Sequence, residues 1–283
     1  MSGNNIKLPL ASVIMSVYAG NHPEELKSSL LSMVNQDYPN LEIVLVYDGP
    51  VSDGIGQVIT DVRKNTNVPF HIIPLKNNLG LGPALNTAIT AAKGDFLVRM
   101  DSDDYSMPDR VSSQLGFLLR HDDVDVVGCL MEDIFVNGER YVLDMPLTHN
   151  DCVAAFSWRH PINHPTAVFR RHFFEKAGMY SADARLDEDS VLWLAGMKSG
   201  CIFANINEVK YKRSLDQRFF QRRKNINEIM TVFRIRLRII SELHYGIKGY
   251  AYAFARLFLL LLPKQISSAL YHLRIHISRN LKK

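Results

Sequence analysis

VIMSVYAGNHPEELKSSLLSMVNQDYPNLEIVLVYDG, residues 13–49, decides the fold, because it reads as strand, helix and strand in close succession. Ala11–Tyr18 is a short apolar run rich in β-branched residues, which predicts a strand. Pro23 then opens a helix with Leu26, Leu30, Met33 and Val34 on one face, ending before Tyr38-Pro39. Leu41–Tyr47 (LEIVLVY) is the second strand. A helix carrying Val58, Ile59 and Val62 follows, then a short strand at Phe70–Ile73. Leu81–Ala92 is a third helix, with Leu85, Ala88, Ile89 and Ala92 on one side and Gly94 at its end. Phe96–Met100 is a strand that stops at an acidic cluster, Pro108 starts another helix, and Val124–Leu130 is a further strand. Strands separated by helices of this length predict an α/β fold with a mainly parallel sheet flanked by helices on both faces. Ligands of such sheets bind at the carboxyl ends of the strands.

The pattern changes beyond residue 130. Asn137-Gly138, between Ile134–Val136 and Tyr141–Leu143, reads as a hairpin turn. Residues 145–223 are mixed and irregular, and from 224 the chain turns helical and basic. The 283 residues carry a net charge of +4, unevenly placed: 11 Lys and Arg against Glu228 and Glu242 from Lys224 onward, leaving 22 basic and 27 acidic residues before it. Such a tail suits an anionic surface. Cys129, Cys152 and Cys201 are odd in number and far apart, which predicts buried thiols in a reducing compartment, with no zinc site or disulfide expected. Met1–Lys7 carries no apolar signal core, so a secretory leader is not expected.

The chemistry concentrates in Arg99-Met100-Asp101-Ser102-Asp103-Asp104 at a strand end. Three carboxylates within four residues repel one another, and folding alone does not require them. Hard divalent cations favour oxygen ligands, and Mg²⁺ is commonly held by one or two carboxylates plus substrate phosphates. The same residues also suit a solvated turn or a helix N-cap before Met107-Pro108. A second acidic cluster, Asp187-Glu188-Asp189, precedes the apolar run Val191–Leu194 and equally suits the N-terminus of a buried helix.

The 13–49 stretch, then NNLGLGPALNTAITAAKGDFLVRMDSDDYSMPDR (77–110) and INHPTAVFRRHFFEKAGMYSADARLDEDSVLWLAGMKSG (162–200), resembles glycosyltransferase family 2, over roughly residues 10–200 and with its motifs in order. The resemblance implies a GT-A nucleotide-sugar-binding fold over residues 1–223. Its nucleotide-sugar half would span about 8–130 and its acceptor half about 131–223, followed by a helical, basic, membrane-associating tail at 224–283. It implies an inverting, metal-dependent hexosyltransferase of the bacterial O-antigen or exopolysaccharide type. Such an enzyme moves galactose or glucose from a UDP-sugar to a sugar on polyprenyl diphosphate, with a β-linkage. Tyr18 then matches an aromatic lining the base pocket, and Asp48 the carboxylate that accepts a hydrogen bond from uracil N3; alone, each also reads as a core-edge aromatic and a turn residue. The sequence departs here from the family pattern, with Tyr47-Asp48 where a pair of acids is usual and Pro50 in place of Ser. Asp103 matches the firmest ligand of Mn²⁺ or Mg²⁺, and Asp101 lies near ribose or metal, with Asp104 orienting a neighbour. Asp189 matches the base that takes the acceptor hydroxyl's proton, supported by Glu188. His164 falls near acceptor or diphosphate, or is structural.

Tyr250–Leu262 is intensely apolar but carries Arg256 and falls short of the roughly 20 residues that span a bilayer. Ile226, Ile229, Met230, Phe233, Leu237 and Ile240 form one imperfect helical stripe, with Ile235 and Ile239 off it; Ile266, Leu270, Leu273 and Ile277 form another. Basic amphipathic helices of this kind lie in the membrane interface, here the inner face of the cytoplasmic membrane, or pack on the catalytic domain or a partner subunit. Rival readings are a nucleotidyltransferase of similar sheet architecture and a non-catalytic membrane-surface binding protein. Gly54-Ile55-Gly56 has Ile59 where a dinucleotide fingerprint needs its third glycine, and no P-loop or basic-aromatic nucleic-acid motif occurs.

Overall fold

A computed structural model describes residues 8–184, 186–215 and 225–261. The first half follows the sequence reading closely: β1 (Ala11–Val17), α1 (Pro23–Val34), β2 (Leu41–Tyr47), α2 (Asp53–Lys64), β3 (Phe70–Pro74), α3 (Leu81–Ala91) and β4 (Phe96–Arg99). β5 (Tyr105–Ser106), α4 (Arg110–Arg120), β6 (Val126–Phe135) and β7 (Arg140–Leu143) come next. Gly138, at φ 81°, makes the turn of the expected β6–β7 hairpin. The remainder is α5 (His149–Phe156), a 3-10 turn at His164–Thr166, β8 (Val168–Arg170), α6 (His172–Ala177), α7 (Glu188–Lys198), β9 (Phe203–Leu215), α8 (Ile226–Glu242) and α9 (Gly246–Leu261).

All nine strands join one sheet in the order β3-β2-β1-β4-β8-β6-β9-β5, with β7 on β6. The sheet is parallel through β3-β2-β1-β4 and again at β6·β9, while the β4·β8, β6·β8, β6·β7 and β5·β9 pairs are antiparallel. The sheet is thus mixed, its parallel part confined mainly to the first half. Successive side chains of a strand face opposite sides. Val13, Met15, Ile43 and Leu45 therefore enter a core under α1, α2 and α4, and Ile14, Val44 and Val46 enter another with α3 and the acceptor-side helices. Trp193 of α7, fully buried, stacks on Phe169 at 5.8 Å and anchors that second core. The three cysteines are buried and free.

Helix α8, in the basic region, packs on the body. Ile239 belongs to the second core and Ile235 packs against it, although both lie off the apolar stripe seen in the sequence. The reason is that α8 is covered on two sides. It meets α7 on one side and α9 on the other, where Phe233 and Phe254 make an edge contact at 5.2 Å. A helix covered on two sides needs more than one apolar stripe. Arg236 is also buried, donating through Nη1 to the Phe156 carbonyl. The stripe at Ile266–Ile277 lies outside the described residues.

Ile239→Ala is expected to cost about 2–5 kcal/mol of stability, as a core deletion, and Ile247→Ala, on exposed α9, within about 0.5 kcal/mol. Urea unfolding of both variants checks this. Equal, negligible effects would detach α8 from the catalytic core.

Candidate active site

Three parallel strands deliver their carboxyl ends to one edge. The chain runs β1, β2, β3 to one side and then returns to place β4 on the other side of β1, so a crevice opens at this switch point. Tyr18 follows β1, Asp48 follows β2, and Asp101 to Asp104 follow β4. Tyr18, Asp48, Gly80, Asp101 and Asp103 line one cleft of about 310 Å³, within the size range of small-ligand sites. The sequence-predicted nucleotide residues are therefore brought together. The Tyr18 ring lies over Gly20, where a Cβ would stand 2.4 Å from Cε2, so only glycine leaves the ring its place.

Asp48 is buried, and its two carboxylate oxygens accept the backbone N–H groups of Leu79 and Gly80 at 2.6 and 3.0 Å. It thereby holds the turn into α3, with Gly80 at φ 97°. The Gly80 amide faces this carboxylate, in keeping with a turn. Each carboxylate oxygen keeps a second lone pair for a ligand donor.

The acidic cluster rests on two buried arginines. Arg99, 1% exposed, ion-pairs through Nη1 with Asp101 Oδ1. Burial opposes the charge of each partner, but the pairing outweighs it, so Asp101 is held below the usual carboxylate range. Arg110 donates to the Arg99 and Pro165 carbonyls at 2.7 and 3.2 Å and to Gln114, and lies over the Tyr211 ring. The Tyr211 hydroxyl accepts the Asp101 N–H at 3.3 Å and hydrogen-bonds Asp104. Asp104 is buried, and loss of water followed by the charges of Asp101 and Asp103 raises it well above its ordinary value. Asp103 stands at the mouth; restricted hydration and the charge of Asp101 push it up to about 6. One carboxylate oxygen from each of Asp101, Asp103 and Asp104 lies within 4.8 Å of the others. This all-oxygen donor set, short of positive charge at its mouth, fits Mg²⁺ or Mn²⁺.

The second acidic cluster sits at the N-terminus of α7. Asp187 adopts the left-handed conformation (φ 62°, ψ 33°), a few kcal/mol at most for an aspartate, and turns the chain into the helix. Asp189 accepts the Ser190 N–H at 2.9 Å. Burial acts to raise Asp189, yet neighbouring His160 holds it low, whereas loss of water and then the Asp189 charge push Glu188 up to about 7. His164 is buried, its Nε2 2.7 Å from the Tyr180 hydroxyl, and burial followed by the Arg99 charge lowers it to about 3. It is therefore neutral, and it feels the charges of both Asp189 and Asp101. Arg213 makes a two-pronged pair with Asp133 at 2.9 Å. Sequence reasoning passed over His160, Tyr180, Arg110 and Tyr211; the one available signal was the repeated His-Pro at 160–161 and 164–165.

Comparison with known proteins places the chain in a family. The model of glycosyl transferase family 2 matches residues 12–178. The amylovoran biosynthesis glycosyltransferase AmsE of Erwinia amylovora is 33% identical over 261 residues, covering 92% of this chain and 97% of that one. An Escherichia coli UDP-Gal:alpha-D-GlcNAc-diphosphoundecaprenol beta-1,3-galactosyltransferase is 26% identical over 265 residues, covering 93% and 95%. The crystal structure of S. aureus TarS 1–349 superposes with a TM-score of 0.63 at 19% identity, covering 90% of this chain and 75% of that one. The mannosyltransferase PcManGT of Pyrobaculum calidifontis, in complex with GDP-Man and Mn²⁺, gives 0.62 at 20% identity, covering 95% and 80%. The fold is GT-A, and the chain belongs to glycosyltransferase family 2.

Proposed function

We propose that this enzyme transfers a hexose, galactose or glucose, from a UDP-sugar to a sugar carried on polyprenyl diphosphate, inverting the anomeric centre to give a β-linkage. The observation that carries this reading is the pair of carboxylate clusters, one at the switch-point cleft and one at the start of α7. The GlcNAc-diphosphoundecaprenol acceptor in the name of the E. coli relative, and the amylovoran role of the Erwinia one, support the acceptor class and an exopolysaccharide or O-antigen setting. Family membership removes the nucleotidyltransferase alternative.

Tyr18 stacks on the base, and a free lone pair of Asp48 accepts the uracil N3–H, which neutral cytosine lacks. Asp103, with Asp101, holds the divalent cation, Mn²⁺ or Mg²⁺, which when bound neutralises charge on the diphosphate leaving group. Asp189, ionised, takes the acceptor hydroxyl's proton as that oxygen attacks C1 from the face opposite the diphosphate. The C1–O bond breaks and its electron pair leaves with UDP. Glu188 supports the base or binds acceptor, while Asp104, through Tyr211, and His164, through Tyr180, support the floor.

The membrane contact proposed for the basic tail centres on α9, peripheral to the inner face of the cytoplasmic membrane. Its buried side is Gly249 and Ala253; opposite these, Ile247, Phe258 and Leu261 are exposed, Ile247 by 85% and Phe258 by 66%. Lys248 and Arg256 supply positive charge. No described helix is long and apolar enough to cross a membrane, and an apolar face with basic flanks suits the bilayer interface.

A panel of UDP-, GDP- and dTDP-sugars, assayed with a GlcNAc- or GalNAc-diphosphate-lipid analogue, is expected to give acceptor-dependent UDP release from one hexose donor. EDTA abolishes it and Asp189→Asn lowers it by about 10²–10⁴-fold. Turnover undiminished in Asp189→Asn removes the base assignment. Ile247→Ser with Phe258→Ser is expected to cut cosedimentation with phosphatidylethanolamine–phosphatidylglycerol vesicles by roughly tenfold or more. An unchanged bound fraction would return α9 to a protein-packing role.

A further inference from the structure

The start of α7 places Asp187, Glu188 and Asp189 in succession, and like charges so close drive at least one carboxyl toward its protonated form. A catalytic base must stay ionised and aimed. Something has to decide which of the three carries the charge.

The groups facing Asp189 come from five elements. Asp187 and Glu188 belong to its own turn, His164 to the 3-10 turn, Tyr180 to the loop after α6, Arg236 to α8, and His160 to the loop after α5. His164 is neutral and bonded to Tyr180, so it brings no charge. Arg236 donates to the Phe156 carbonyl and touches neither aspartate, its charge reaching them only at longer range. Ser190 donates its N–H to Asp189, but His160 is the titratable side chain that, among the described residues, makes a close contact with each aspartate. Its Nδ1 lies 3.2 Å from Asp189 Oδ2, and its Nε2 lies 3.6 Å from Asp187 Oδ1. The Nδ1 atom is enclosed and has no hydrogen-bond partner of its own. The ring is therefore an edge laid across both aspartates, with Glu188 left outside.

We propose that His160 is a positioning residue for the reaction, bridging Asp187 and Asp189 so that Asp189 carries the negative charge toward the acceptor. Asp187 fixes the ring from its Nε2 side, and the left-handed turn at Asp187 brings that carboxylate round to it. Asp187 and Glu188 share the proton that crowding forces on the cluster. The direction of the shifts agrees: Asp189 is held low beside His160, while burial followed by the Asp189 charge pushes both Asp187 and Glu188 up.

This inference rests on the assignment of Asp189 as base, and its test separates the two. Acceptor-dependent UDP release is measured across pH for wild type, Asp189→Asn, His160→Ala, His160→Asn and His160→Gln. Donor KM and thermal melting are followed in parallel. His160→Ala is expected to lower kcat by on the order of tenfold or more while leaving donor KM unchanged. With His160 gone the Asp189 pKa rises, so the acid limb of kcat/KM moves upward by roughly one pH unit or more. His160→Asn, whose amide falls near the Nδ1 position, recovers most of kcat; His160→Gln, whose amide falls near Nε2, does not. Should His160→Ala fail to fold, the Asn and Gln pair decides alone. Asn well above Gln supports the bridge, and equal activities overturn it. An unchanged kcat and acid limb in His160→Ala, beside an inactive Asp189→Asn, overturns the inference and leaves the base standing. An active Asp189→Asn overturns both.

Discussion

The donor side depends on one buried ion pair. Arg99 closes β4 with its guanidinium out of water, and Asp101, two residues on, is its counter-ion. Leaving such a charge unpaired costs about 3–5 kcal/mol, so Asp101 cannot be given wholly to a ligand. That constraint divides the labour within the triplet. Asp101 is committed to Arg99 and Asp104 is buried against Tyr211, while Asp103 at the mouth makes no ion pair among the described residues. Asp103 is the carboxylate most in need of an external cation. Arg110 locks the arrangement from below by holding the Arg99 and Pro165 carbonyls, joining the end of β4 to the turn that carries His164.

From that junction one buried residue couples electrostatically to both acidic clusters. Neutral His164, bonded to Tyr180, feels the charges of both Asp101 and Asp189. Gly82 of α3 reinforces the arrangement, since a Cβ there would stand 3.3 Å from Tyr180 and 4.0 Å from Glu188. Helix α3 thus packs directly on the start of α7 and the loop before it. α8 continues the same core through Ile239, tying the catalytic body to α9 and its exposed apolar face.

The sequence made the parallel half legible because its signals are local. β1, β2 and β3 are apolar runs bounded by turns, and Asp101–Asp104 has an order that chance seldom supplies beside a matching Tyr18 and Asp48. The second half hid its strands for physical reasons. β5 has two residues and β8 three, too short for any period to appear, and β9 exists through long-range pairing to β6 with register shifts near Leu130. Ile235 and Ile239 misled because burial on two sides of α8 erases a single stripe. His160 was invisible because its meaning lies in a contact with residues 27 and 29 positions away. The His-Pro repeat marks the loop but says nothing of that contact.

The central claim is that the cluster after β4 serves donor and metal while the cluster before α7 serves only the proton. Calorimetric titration of UDP in Mn²⁺ tests it most directly, with Asp103→Asn and Asp189→Asn compared against wild type. The expected result is that Asp103→Asn loses the Mn²⁺-dependent part of UDP affinity, whereas Asp189→Asn binds within about twofold of wild type. Full Mn²⁺-dependent binding by Asp103→Asn, or its loss in Asp189→Asn, would contradict that division.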